Sequence, residues 1–211
     1  MRVLSGTFTR RYNTILHDLL RLALVTGARL DELCALKTSD VHKREDGWWI
    51  DIQQGKTQAA VRKVPVHDSA THVLERRKSS RGFLFEGLVP GGPDKKRSWN
   101  VSKAFGHYTH TLDLKEERQT FHSLRNTFVE VMEGAEVPLS TIELIIGHAR
   151  QSLALGGYSK GQRVQLRDAV NKLHYAADVM RLIRKSTREG ETSKTTEKKR
   201  TLRARKSKKH R

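Results

Sequence analysis

The chain has 211 residues, which is enough for one compact domain and a tail. Lysine and arginine outnumber aspartate and glutamate by 41 to 23, which gives a net charge of +18. This charge favours a polyanionic partner, most simply nucleic acid. Composition alone also fits a ribosome-associated or merely soluble basic protein. Cys34 is the only cysteine, which excludes an intrachain disulfide. No stretch has the ~18 apolar residues of a membrane span. We therefore expect a cytoplasmic protein without a membrane partner.

The first half of the chain predicts two helices followed by a small sheet. Apolar residues recur over 13–25 with helical spacing, and a second helical pattern carries leucines at 30, 33 and 36 and ends near residues 37–40. Residues 48–52 and 61–66 are typical of strands, and Pro65 suits an edge strand. We therefore expect a small antiparallel sheet in this region.

The second half is predominantly helical in pattern. Residues 68–78 predict a helix, 82–85 form a short apolar segment, and 87–97 are a Gly- and Pro-rich loop. Helical stretches follow over 98–111, 120–133 and 138–147, and a basic helix is expected over 163–184 after the loop at Gly156 and Gly157. The predicted fold class is thus α+β, mainly helical with one small antiparallel sheet.

The C-terminal segment is strongly basic. Residues 181–211 contain 14 lysines and arginines against 3 glutamates, with almost nothing apolar after Ile183. Such a segment cannot bury enough surface to offset the entropy of ordering, so we predict a disordered basic tail over 185–211. The tail would bind phosphates without sequence preference; the alternative is a solvated tail without a dedicated role.

Several common kinds of site are not indicated. The sequence has no Cys-x-x-Cys and no His-Glu-x-x-His, and His107 and His110 are better explained as surface or groove residues than as metal ligands. Gly55-Lys56-Thr57 resembles the end of a P-loop, but Ile50 stands where that motif needs a glycine. We expect no metal and no cofactor.

Basic groups in three contexts remain. Arg29 lies at a helix start with Glu32 three residues on, and His122 and Arg125 share a face at the start of another helix, which is a natural phosphate site. Gly147-His148 ends a helix ten residues before Tyr158. Taken singly, each is better explained as a surface salt bridge or a structural histidine.

Taken together and in chain order, these groups resemble the tyrosine recombinases of the phage-integrase family. The shared pattern is Thr-Gly-x-Arg-x-x-Glu-Leu, a lysine in a β-hairpin, His-x-x-Arg, Gly-His and a tyrosine, and the resemblance spans about residues 13–180. The residues that match are Arg29, Glu32, Lys56, His122, Arg125, His148 and Tyr158.

The resemblance implies cleavage and rejoining of double-stranded DNA through a 3′-phosphotyrosyl intermediate on Tyr158, without ATP or metal. Arg29, Arg125 and His148 would donate to the non-bridging phosphate oxygens, and Glu32 would orient Arg29. Lys56 would protonate the 5′-oxygen leaving group, and His122 would assist proton removal from the tyrosine. The supporting DNA contacts expected beside the nucleophile are Lys160 and Arg163.

The other tyrosines fit the nucleophile's position less well. Tyr12 and Tyr108 precede the motifs they would have to follow, and Tyr175 lies in the predicted 163–184 helix, where packing explains it better. Members of the family assemble four subunits on two duplexes through a C-terminal segment. The apolar face of the predicted helix would either dock on a neighbouring protomer or pack on its own domain; its members are Leu166, Val170, Leu173 and Ala177.

The expected domain organisation is a catalytic domain over 1–184, without the family's N-terminal core-binding domain, and the tail over 185–211. Three functions remain as alternatives: a site-specific recombinase or integrase, a DNA-binding remnant with impaired catalysis, and a type IB topoisomerase. The motif wording favours the recombinase over the topoisomerase.

Overall fold

A computed structural model of the protein describes Leu4 and residues 12–53, 61–78, 82–112, 120–148 and 160–185. Two predicted site residues, Lys56 and Tyr158, lie outside the described residues, as does the predicted tail from residue 186 onward.

The long first helix forms the centre of the fold. Helix α1 (Asn13–Thr26) is buried on every side from Leu16 to Thr26, which explains why its apolar residues are not confined to one stripe. It packs against helix α5 (Ser123–Gly134) and against α2 (Leu30–Ala35). Gly27 ends α1 with a left-handed backbone (φ 62°), and a Cβ there would lie 2.6 Å from the Cδ1 of Phe128. The turn from α1 into α2 therefore requires glycine.

The predicted small antiparallel sheet is confirmed, with one strand more than expected. Strands β1 (Val41–Arg44), β2 (Gly47–Ile52) and β3 (Arg62–Pro65) are joined in that order, and both pairs are antiparallel. Pro65 lies at the end of the edge strand β3, as predicted. Strand β1 was not predicted. A 3₁₀ turn (Thr38–Asp40) precedes β1, and another (Asp68–Ala70) leads into helix α3 (Thr71–Arg77).

The predicted helices of the second half are present within a few residues. They are α4 (Trp99–Thr111), α5 (Ser123–Gly134) and α6 (Leu139–Ile146). Two residues of the predicted loop pair across it, since Gly91 and Lys96 form an isolated antiparallel bridge. No helix within the described ranges has both the length and the apolar character that crossing a membrane requires.

The predicted single helix over 163–184 is wrong, because the structure breaks it in two. Helix α7 (Lys160–Asn171) and helix α8 (Ala177–Arg184) are joined by a non-helical segment that contains Tyr175. The hydroxyl of Tyr175 donates to the carbonyl oxygen of Leu24 (2.6 Å) in α1. This contact, together with burial of Leu173, attaches the connection between α7 and α8 to the core of the domain.

The apolar face proposed for α7 belongs to the chain's own core. Leu166, Val170 and Leu173 are buried there, whereas Ala177 is exposed at the start of α8. This face could dock on a neighbouring protomer or pack on its own domain. The structure shows packing on its own domain for the three large residues, Leu166, Val170 and Leu173.

Buried and half-buried arginines hold the elements together through backbone carbonyls. Arg167 on α7 donates to the carbonyls of Val66 (2.9 Å) and Trp48 (2.7 Å) and so ties that helix to the sheet. Arg97 donates to Cys34 and Phe85 in the same manner. Part of the chain's positive charge is thus structural.

Candidate active site

A cleft of about 400 Å³ opens between the starts of α2 and α5 and the segment 91–102. Three of the predicted site residues line it, namely Arg29, His122 and Arg125. The cleft also contains charged and aromatic groups that were not predicted, among them Asp31, Lys96 and Trp99.

Arg29 is fixed at the mouth of the cleft by Glu32. The Nη1 of Arg29 donates to Oε1 of Glu32 at 2.8 Å, and the backbone N–H of Arg29 donates to Oε2 at 2.8 Å. The second bond caps the first turn of α2, so the carboxylate holds both the helix start and the guanidinium. The Arg29 side chain remains 35% exposed, which leaves donors available to a ligand.

Arg125 is the buried counterpart of Arg29. Its residue is 3% exposed, and its Nη1 and Nη2 donate to the carbonyls of Gly27 and Ile146, each at 2.7 Å. Burial lowers the pKa of Arg125 to about 10, with the nearby cations Arg29 and Arg62 contributing. That value is still well above neutrality, so the guanidinium stays charged.

His122 immediately precedes α5 and is exposed on the cleft wall. The amide of His122 donates to the hydroxyl of Thr120, and the amides of Ser123 and Leu124 donate to carbonyls of the preceding turn. The start of α5 therefore offers the side chains of His122 and Arg125 rather than unbonded backbone amides.

His148 follows the C-terminus of α6, which ends with Gly147 in a left-handed conformation (φ 74°). Its backbone N–H donates to the carbonyl of Glu143 (2.9 Å), and the residue is exposed. Partial desolvation of the ring lowers the pKa of His148, and the cations Arg125 and Arg29 lower it further. The imidazole therefore lies within the field of both candidate arginines, which disfavours its protonated form.

A third arginine of the site was missed by sequence reasoning. Arg62 on β3 is 3% exposed, and its Nη1 and Nη2 donate to the two carboxylate oxygens of Glu32 at 3.1 and 2.9 Å. Burial by itself raises the pKa of Glu32, but hydrogen bonds from Arg62 and Arg29 outweigh it and hold the pKa below its usual value. Leaving such a buried carboxylate unpaired typically costs about 3–5 kcal/mol.

A signal for Arg62 exists in the sequence. In a strand, alternate residues share a face, and Arg62 is in phase with the buried Val64. An arginine on the apolar face of a strand needs a buried partner, which is an indication that a carboxylate lies opposite.

The wall of the cleft opposite α5 is tied to α2 through Asp31. The Nζ of Lys96 lies 2.8 Å from Oδ2 of Asp31, and the hydroxyl of Ser98 also donates to this carboxylate. The ring of Trp99 packs on Gly91 and Gly92, since a Cβ on Gly92 would lie 2.5 Å from it. The predicted loop is therefore an ordered wall of the cleft.

The other predicted residues that the structure describes do not line the cleft; they are Glu32, His148, Lys160 and Arg163. Lys160 and Arg163 occupy the first turn of α7, and Arg163 lies 4.0 Å from Asp46. The other three tyrosines, Tyr12, Tyr108 and Tyr175, are all buried. Within the described ranges no group of three or more His, Cys, Asp or Glu side chains is placed to hold a metal ion.

The arrangement is suited to a tetrahedral oxyanion. Two guanidiniums converge on one cleft. One is held by a carboxylate and the other by backbone carbonyls, so both present hydrogen-bond donors in fixed directions. Because neither has to reorganise when charge develops on a bound phosphoryl group, such donors stabilise a transition state more than flexible lysines would.

The comparisons with known proteins agree with this geometry. The family model described as "Phage integrase family" matches residues 8–163. No curated protein sequence matches the chain.

Solved structures with a similar fold are integrases and recombinases. The integrase from mycobacterium phage Brujita is 18% identical, with a TM-score of 0.59 over 86% of this chain and 60% of that chain. The XerH site-specific recombinase, solved bound to its difH substrate in a pre-cleavage complex, is 17% identical, with a TM-score of 0.54 over 72% of this chain and 44% of that chain. This chain therefore spans less than two thirds of the length of either protein.

Proposed function

The chain belongs to the phage integrase family, and on that premise we propose that it is a site-specific DNA recombinase whose catalytic domain cleaves and rejoins strands through a phosphotyrosine. The single observation that carries the proposal is the convergence of Arg29, His122 and Arg125 on one cleft. The proposed domain boundaries are 1–184 for the catalytic domain and 185–211 for a basic tail.

In the proposed reaction the phenolic oxygen of Tyr158 attacks a phosphodiester of double-stranded DNA. A bond forms between Oη and phosphorus, the bond to the 5′-oxygen breaks, and the strand is left attached through its 3′-phosphate. The phenolic proton passes to His122 and the 5′-oxygen takes a proton from Lys56. Attack by the 5′-hydroxyl of another strand reverses these steps. No external energy source is consumed, because the phosphotyrosyl bond keeps the energy of the phosphodiester bond that was broken.

Arg29 and Arg125 bind the non-bridging oxygens in this proposal, and His148 supplies a further donor. The neutral imidazole expected for His148 at pH 7 still has one N–H to donate, so the lowering of its pKa is compatible with that role. Two basic residues at the start of α7, the exposed Lys160 and the half-buried Arg163, are proposed to hold the backbone of the DNA beside the nucleophile.

The identity of the nucleophile is supported by elimination. Tyr175 is hydrogen-bonded to Leu24, its pKa is raised by burial, and Tyr12 and Tyr108 are buried as well. A tyrosine that attacks a DNA phosphate must be reachable, which leaves Tyr158.

The partner proposed is double-stranded DNA in the cytoplasm, with four protomers assembled on two duplexes. The apolar face of α7 is not the proposed contact between protomers, because Leu166 and Val170 are buried within their own domain. Sedimentation of the protein with and without DNA measures the assembly directly.

The decisive test is covalent capture of DNA. Fluorescent duplexes that carry a nick beside a randomised segment are incubated with the protein, and adducts are separated on a denaturing gel and sequenced. We expect an adduct in the wild type and in Tyr175→Phe, and none in Tyr158→Phe. DNA binding without any adduct would refute catalysis and favour a binding remnant, whereas relaxation of supercoils without joining of two sites would favour a topoisomerase.

A further inference from the structure

We propose that Arg62 is a positioning residue for strand cleavage, acting through Glu32 on Arg29 and through the end of α6 on His148. This inference rests on the function proposed above. Arg62 lies in none of the motifs that carry the family resemblance.

Arg62 and Arg29 share one carboxylate. Each oxygen of Glu32 accepts from both arginines: Oε1 from Nη1 of Arg29 and Nη1 of Arg62, and Oε2 from the backbone N–H of Arg29 and Nη2 of Arg62. With the Arg62 fork in place, rotation of the carboxylate breaks four hydrogen bonds. The half-exposed guanidinium of Arg29 is thereby held in one direction toward the cleft.

The third donor of Arg62 reaches a different element. Its Nε donates to the carbonyl of Ile145 at 2.7 Å, and Arg125 takes the next carbonyl, that of Ile146. Two guanidiniums thus cap the C-terminal end of α6, where the helix dipole favours cations. A Cβ on Gly147 would lie 2.8 Å from Nη1 of Arg62, so Arg62 packs directly against the bend that leads to His148.

Only an arginine can make these contacts together. A lysine keeps the positive charge, but a single ammonium cannot span both oxygens of Glu32 and the carbonyl of Ile145 on another element. Arg62→Lys is therefore expected to preserve the electrostatics of the site and lose its alignment.

Arg21 provides a matched control. It too is buried, donates through Nε to a carbonyl near a helix C-terminus (Leu182, 3.2 Å), and pairs with a buried acid, Asp18. Neither arginine lines the cleft, but the acid that Arg62 bonds, Glu32, also holds the cleft residue Arg29. A purely structural role for Arg62 would make Arg62→Lys and Arg21→Lys behave alike.

The experiment compares these two variants in melting temperature, DNA affinity and single-turnover adduct formation at saturating DNA. We expect both to melt lower than the wild type. Arg62→Lys should cleave about 10- to 100-fold more slowly, because Arg29 is misaligned with the cleaved phosphate. Its DNA affinity should stay within about threefold, because that phosphate is only one of many that the protein contacts. Arg21→Lys should cleave within about twofold of the wild type.

A double-mutant cycle tests the route of action. If Arg62 acts through Glu32, the variant that combines Arg62→Lys with Glu32→Gln loses little more rate than the worse single variant. Multiplicative losses, or equal losses in Arg62→Lys and Arg21→Lys, would overturn the proposal. Should Arg62→Lys fail to fold, Glu32→Gln is compared with Arg21→Lys instead, with the same loss of rate expected.

Inorganic phosphate separates failure of this inference from failure of the proposed function. Phosphate binding is followed by ³¹P NMR in the wild type, Arg29→Ala, Arg62→Lys and Arg21→Lys. One outcome is that phosphate binding weakens in Arg29→Ala and Arg62→Lys but not in Arg21→Lys, while no variant forms a DNA adduct. That outcome would refute the recombinase function and support the positioning of Arg29 by Arg62. Wild-type affinity in Arg62→Lys, or no binding by the wild type, would overturn the positioning role.

Discussion

Arg125 donates a hydrogen bond of 2.7 Å to the carbonyl of Ile146, the last residue of α6 and two residues before His148. Its other terminal nitrogen bonds the carbonyl of Gly27, two residues before Arg29. One buried guanidinium therefore contacts the backbone beside two other candidate donors, and the relative positions of the three groups depend on it.

Arg125→Lys should abolish most of the cleavage. The ammonium retains the charge, but it cannot hold both carbonyls and still present a fork to the phosphate, so we expect a loss of at least about 10²-fold in single-turnover adduct formation. The control is Arg167→Lys, because Arg167 is also buried and also bonds two backbone carbonyls, but does not line the cleft. A comparable loss in the control would mean that Arg125 acts only through folding.

Gly27→Ala should destabilise the protein and slow cleavage together. A methyl group at φ 62° lies 2.6 Å from the buried ring of Phe128, so backbone strain and overpacking add to about 2–4 kcal/mol. Urea unfolding measures the loss. Gly134→Ala is the control, since a Cβ at the end of α5 meets nothing within 4 Å, and it should be neutral or slightly stabilising. Equal stability of the two variants would contradict the assigned turn.

The folded state should lose stability as the pH falls through about 6.5, the ordinary imidazole pKa. Burial lowers the pKa of His67, His72 and His148 in the folded protein, and neighbouring arginines lower all three further. The unfolded chain therefore binds protons first, so acid favours unfolding.

The measurement is the melting temperature at pH 7.5 and at pH 5.5. We expect a lower value at pH 5.5 and a smaller drop in His72→Gln, which removes one of the three groups. An unchanged melting temperature between the two pH values would show that these rings do not titrate as expected.

Deleting residues 186–211 should reduce the salt dependence of DNA binding. If the tail binds phosphates, the slope of log Kd against log salt concentration falls by about 0.9 for each phosphate that the shortened protein no longer neutralises. A variant with the same tail residues in scrambled order is the control and should keep the full slope. An unchanged slope after deletion would identify the tail as a solvated segment without a role in binding.

The helices could be predicted because each depends on a local pattern of apolar residues in the sequence. Helices α1, α4, α5 and α6 each have apolar residues at helical spacing, and Gly27 and Gly147 mark two of the ends. Strand β1 has no such pattern. It is four residues long, buries only Val41 fully, and exists through backbone pairing with β2 that the sequence does not display.

The site could be predicted where motifs are contiguous. Where the interacting residues are remote, the sequence indicates at most that a position is buried and does not identify its partner. Arg29 and Glu32 are three residues apart, so their pair follows from helix geometry. Arg62 is 30 residues from Glu32 and 83 from Ile145, and in sequence it is one of 41 lysines and arginines. The break between α7 and α8 was missed for the same reason, since Tyr175 finds its partner 151 residues away in Leu24.

The internal arginines have a consequence for anyone who redesigns this protein. Lowering the charge of a basic DNA-binding protein is an ordinary way to suppress promiscuous binding, and arginine-to-neutral changes are the usual choice. Here such changes would remove hydrogen bonds that link separate segments of the chain through backbone carbonyls. They would do so at five positions, which are Arg21, Arg62, Arg97, Arg125 and Arg167. Charge reduction should therefore start from exposed lysines outside the proposed DNA contacts, such as Lys172.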